Sequence, residues 1–149
     1  MSDIANICTI GFTKTTAESF FQRLSDANVK LVVDVRLNNT SQLAGFAKAK
    51  DLAYFLASLG GIRYSHQPDL APTELMLRTF KKEKGDWGAY EMQFMNLMEK
   101  RKIETKFKSD MFDGACLLCS EDTPHQCHRR LVCEYLNMKW GGKLKVKHL

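Results

Sequence analysis

Four short apolar runs, Asn6–Ile10, Lys30–Arg36, Ile62–His66 and Ala115–Cys119, alternate with stretches whose apolar residues recur at helical spacing. This alternation constrains the chain to an α/β fold, because strands joined through helices pair in parallel and need cover on both faces. Thr15 and Glu18 make a capping-box pattern ahead of Phe20, Phe21, Leu24 and Ala27, and Asn28 is suited to end that helix. Lys30–Arg36 reads as a central strand, apolar until its last residues. Leu52, Phe55, Leu56 and Leu59 mark a second helix that Gly60-Gly61 stops. Pro72 is suited to the first position of a short helix, and Asp86 caps a longer one through Trp87, Tyr90, Phe94, Leu97 and Met98. Leu144–His148 alternates as a final edge strand. The expected architecture is a mostly parallel sheet of four to five strands with helices on both faces, in Rossmann-like layering.

A length of 149 residues suits one domain spanning residues 1–149. The balance of 44% hydrophobic to 26% charged residues is that of a folded globular chain. No apolar run approaches the roughly 20 residues of a membrane helix. Met1–Asn6 lacks the basic and apolar regions of an export signal, so a cytoplasmic location is expected. Five cysteines without the spacing of a secreted framework point to reduced thiols. The net charge of +5 concentrates in Lys100–Lys108 and in the tail from Lys139 to His148. A basic surface is compatible with an anionic partner such as a nucleotide or nucleic acid, and equally with a solvated helix end and tail.

In one parallel sheet, four polar clusters fall at strand carboxyl ends: Gly11 to Thr13, Asp34 to Asn39, His66 to Asp69, and Ser120 to Arg129. That edge is where open α/β sheets bind ligands. Gly11, Phe12, Thr13, Arg36, His66 and Arg129 are therefore the expected ligand-binding residues. At ~100° per residue, Leu131, Val132, Tyr135 and Leu136 define the buried side of the last helix, with His128 on it and Arg130 facing solvent. Arg129 and Cys127 flank this stripe near a helix N-terminus, where backbone N–H groups attract anions. A guanidinium there suits bidentate binding of a phosphate or carboxylate, or a salt bridge to Glu121, Asp122 or Asp34. Asp34 and Arg36 share a strand face and are expected to pair, which competes with a ligand role for Arg36.

Catalytic candidates are Glu121 or His128 as general base and Cys127 or Cys119 as nucleophile. Each has a plain structural alternative: a loop carboxylate, a buried imidazole bonded to a carbonyl, and two inert apolar thiols. Thr13, Thr15 and Ser41 read as caps and turn residues. Cys116, Cys119, Cys127 and His128 supply the thiolates and imidazole of a zinc site, but Cys116 and Cys119 should point to opposite strand faces, which argues against one. No motif assigns a cofactor.

Thr9-Ile10-Gly11-Phe12, Val33-Asp34-Val35-Arg36, Gly45-Phe46, Gly61-Ile62-Arg63-Tyr64 and Leu117-Leu118-Cys119-Ser120-Glu121, followed by Cys127-His128-Arg129-Arg130, together resemble the domain of unknown function 488 family. The resemblance runs in order along nearly the whole chain, and Val146-Lys147-His148 is similar to that family's terminal strand. Many members carry a proline and basic residues soon after Asp-Val-Arg, where this chain has Leu37-Asn38-Asn39-Thr40-Ser41-Gln42. The resemblance implies the fold and the location of a site, and no reaction. A fainter similarity is to rhodanese-like sulfurtransferases, through the strand ending Asp-Val-Arg and a cysteine ending a strand that feeds a helix. Cys119 and Arg129 stand ten residues apart, without the compact persulfide loop of those enzymes.

The leading expectation is a phosphate-bearing ligand, a nucleotide or nucleic-acid end, held at the carboxyl edge by Arg129, Arg36 and the helix N-terminus, with hydrolysis or transfer as the associated reaction. The alternatives are a thiol-dependent sulfur-transfer enzyme and a non-enzymatic nucleic-acid-binding module.

Overall fold

A computed structural model of the chain describes residues 4–38, 45–82, 86–120 and 127–149. Five strands, β1 (Ala5–Gly11), β2 (Leu31–Asp34), β3 (Arg63–His66), β4 (Ala115–Cys119) and β5 (Leu144–His148), form one sheet in the order β3-β2-β4-β1-β5. Every pairing is parallel. The described helices are α1 (Ala17–Asp26), α2 (Ala49–Gly60), α3 (Glu74–Lys82), α4 (Trp87–Arg101), α5 (Ile103–Lys106) and α6 (His128–Trp140).

Strand alternation divides the core into two layers. Ala115, Leu117 and Cys119 of β4 join α4 and α6 through Phe94, Met98, Leu131, Val132 and Leu136. Cys116 and Leu118 face the other way, onto Phe20 and Leu24 of α1 and Leu52 and Leu56 of α2. Both faces of β4 are buried along its length, which explains its unbroken apolar run.

Local chemistry sets most boundaries. Gly61, at φ 61°, caps α2 in the left-handed region that glycine enters without a Cβ penalty. Asp86 caps α4 by accepting from the backbone N–H groups of Gly88 and Ala89 at 3.3 Å. Two expectations shift. The N-cap of α1 is Thr16, whose hydroxyl accepts from Ser19 N, because Thr15 Oγ1 instead accepts from Arg23 Nη2. Pro72 does not open a helix: Pro68 begins a 3-10 turn, Pro68–Leu70, and Thr73 Oγ1 accepts from Met76 N at the start of α3. No described helix is long and apolar enough to cross a membrane.

Sheet order also locates a topological switch. The chain leaves β2 for the β3 edge through α2 on one face, and leaves neighbouring β4 for the β5 edge through α6 on the other. Connections that diverge in this way open a crevice outside the two carboxyl ends. Asp34 to Arg36 and Cys119 to Ser120 border it.

Candidate functional site

On the α1–α2 side, Asp34 organises the crevice. Its Oδ1 accepts from Arg36 Nε at 2.8 Å and from the Arg36 backbone N–H at 3.1 Å. Its Oδ2 accepts from Arg36 Nη2 at 2.7 Å and from the Tyr64 hydroxyl at 2.5 Å. Asp34 is 0% and Arg36 3% exposed, so this is a buried ion pair with a bidentate fork. The guanidinium lies 5.2 Å over the Phe12 ring, a cation–π arrangement. Its Nη1 is buried and meets no hydrogen-bond acceptor among the described residues. His66 Nε2 donates to the Arg36 carbonyl at 2.7 Å and steadies the strand end.

On the α4–α6 side the chemistry is sulfur. Cys119 ends β4, Cys127 is the N-cap of α6, and their Sγ atoms are joined at 2.20 Å with Cα atoms 7.6 Å apart. An eight-residue separation that local pattern cannot close is closed by the fold, which sets the two sulfurs side by side. Arg129, 1% exposed, directs Nη1 to Cys119 Sγ at 3.6 Å and to Cys127 Sγ at 3.8 Å. His128 packs against the Phe94 ring at 5.6 Å, and its Nε2 donates to the Val35 carbonyl at 2.6 Å. That bond ties the first turn of α6 to the end of β2. Arg130 points outward to Glu134 and Glu91, as helix phase requires.

The remaining cysteines are apart from this cluster and differ chemically. Cys8, Cys116 and Cys133 are free thiols. Burial pushes all three upward in pKa, Cys133 to about 12, which keeps them protonated and poorly nucleophilic at neutral pH. Cys116 lies across the sheet from Cys119, as strand alternation requires.

The ligand candidates thus fall into separate sets. Arg36, Phe12 and His66 gather around the end of β2, while Arg129 sits with the two sulfurs across the sheet. Gly11 pairs in register with Cys119 and gives its carbonyl to Arg23 Nη2 at 3.4 Å. Thr13 donates both its backbone N–H and its hydroxyl to the Ser120 carbonyl, a loop-closing role. Glu121, Asp122 and Ser41 lie outside the described residues. Two cavities lie elsewhere: one of about 640 Å³ between α1 and α2, lined by Phe21, Phe46, Phe55 and Leu59, and one of about 420 Å³ at the amino end of the sheet. None of the candidate residues lines either.

Residues 16–136 match the family described as Domain of unknown function DUF488. The chain belongs to the DUF488 family. No match was found among curated proteins or among solved structures. The DUF488 match takes in Asp34, Arg36, Cys119, Cys127, His128 and Arg129, and leaves β1 and β5 outside it.

Sequence reasoning missed three contributors. Tyr64 shares the face of Asp34, and the strand period held that signal, since Tyr64 pairs with Val32 two residues before Asp34. His148 and Thr9 are partners in register across β5 and β1, with Nδ1 and Oγ1 at 2.5 Å. Burial first, and then Arg129 and Arg130, hold the His148 imidazole below its ordinary pKa.

Proposed function

We propose that this chain is a thiol-dependent protein whose reacting atoms are the Cys119 and Cys127 sulfurs. The observation that carries the reading is their juxtaposition beside the buried Arg129 guanidinium, at the switch point of the sheet. A neighbouring guanidinium stabilises a thiolate over a thiol, and the start of α6 adds the same sign of field at Cys127. Starting from the dithiol, one thiolate attacks a sulfur of a small disulfide or persulfide. The new S–S bond forms as the donor's S–S bond breaks, and the donor leaves as its thiolate. The second cysteine then attacks the first, forming Cys119–Cys127 and expelling the transferred group as a thiolate, or as hydrosulfide when the donor is a persulfide. Two electrons leave the pair, and an external dithiol returns them. At 2% and 3% exposure the two cysteines suit a small co-reactant better than a protein surface.

The test is adduct trapping on the full chain with single variants. Incubated with a small disulfide or persulfide donor, Cys127→Ser should accumulate an adduct on Cys119 and Cys119→Ser one on Cys127, while the reduced wild type passes on to the internal disulfide. Adducts confined to Cys8, Cys116 or Cys133 would overturn the proposal.

A phosphate-bearing ligand is the second reading, and the hydrogen-bond vacancy at Arg36 Nη1 beside the crevice favours it. The basic stretches favour a nucleic-acid module less, because Lys106 pairs with Asp69 at 3.3 Å and Lys139 with Glu99 at 3.5 Å. Nucleotide or oligonucleotide binding that weakens steeply with salt and is lost in Arg36→Met would support an anion site. Absence of binding at low salt would remove both.

A further inference from the structure

We infer that the reduced pair, Cys119 and Cys127, binds one zinc ion together with His128, so that the same two sulfurs alternate between a metal site and a disulfide. The inference rests on the thiol reading and deepens it. Among the described residues these three side chains bring a ligand atom each to within 4.8 Å of one another, and all three are buried. Two thiolates and an imidazole are a donor set that zinc favours, and three protein ligands with a fourth position open are the pattern of catalytic sites.

Two further observations point to a metal. His128 Nε2 carries the proton it donates to Val35 O, which fixes the tautomer with its lone pair on Nδ1. An imidazole held by a backbone carbonyl on one nitrogen is how zinc-binding histidines are oriented. The Arg129 N–H groups directed at both sulfurs supply the matching outer contact for the thiolates. Cys116 has no part in this, since β4 turns it to the opposite layer. The opposite strand faces of Cys116 and Cys119 leave Cys119, Cys127 and His128 together.

The balance is simple. Binding zinc to the dithiol releases two thiol protons. Oxidation by a small disulfide takes two electrons from the two thiolates, forms the Cys119–Cys127 bond, and yields the free ion and two small thiolates, which take up two protons from solvent.

The experiment titrates the anaerobically reduced full chain with cobalt and then with zinc against a chromophoric chelator. One equivalent of cobalt should give thiolate-to-cobalt charge transfer in the near ultraviolet and strong visible bands of a tetrahedral site. Zinc should displace it at one ion per chain, and oxidised protein should take up neither. His128→Ala and Cys127→Ser should each lose more affinity than the ~10–100-fold typical of an outer-shell change, whereas Cys116→Ser should bind as wild type. Octahedral cobalt without charge transfer, or no stoichiometric binding by folded wild type, would overturn the metal site. Cysteine adducts forming normally in that same preparation would show that the thiol reading survives its failure.

Discussion

Arg36 and Arg129 present the same guanidinium to two different kinds of partner. Arg36 is locked to Asp34 on the α1–α2 side, and Arg129 lies against sulfur on the α4–α6 side. Removing one member of a buried pair strands the other charge, so Asp34→Ala should cost ~3–5 kcal/mol. Replacing both, as Asp34→Leu with Arg36→Met, should cost less than the single change, because no charge is then left buried. Urea unfolding of the two variants checks this, and equal losses would mean that packing, not charge, sets the cost. The Asp34–Arg36 pairing was legible from strand alternation, as were the inward His128 and outward Arg130 from helix phase. That Arg129 lies against the Cys119 and Cys127 sulfurs was not, because residues eight apart meet only in the tertiary fold, which no local periodicity records.

At the scale of elements, strand identity was read more securely than strand ends. Ala115–Cys119 and Leu144–His148 stand as read, while the central run shortens to Leu31–Asp34: Val35 N–H makes the last bond to Leu118 O and its carbonyl goes to His128 Nε2. Capping residues compete for the same roles over one or two positions, which is why Thr16 displaces Thr15. β5 carries a pH dependence of definite sign. His148 is held below its ordinary pKa in the fold, chiefly by burial. The unfolded chain therefore takes up a proton, below about pH 6.5, that the folded chain resists, and stability falls as pH drops through that window. Thermal melts across that window should show the fall in wild type and a shallower one in His148→Gln. An identical slope in both would mean that β5 does not titrate through this residue.

For the whole molecule, the order β3-β2-β4-β1-β5 explains why chemistry from distant segments meets between β2 and β4. The alternation of strands and helices announced a carboxyl-edge site, but it could not say which two strands flank the crevice, since strand order is decided by how connections pack and not by their sequence. That order places an ion pair on one side of the sheet and a sulfur pair on the other, joined through the His128–Val35 bond. The central claim is that Cys119 and Cys127 are the reactive pair. Its most direct measurement equilibrates the full chain across a series of glutathione redox buffers, quenches it in acid and maps every cysteine by mass spectrometry. The account predicts a single two-electron transition confined to Cys119 and Cys127, with Cys8, Cys116 and Cys133 remaining thiols throughout. A bridge between any other two cysteines, or none between these two under the most oxidising buffer, would contradict it.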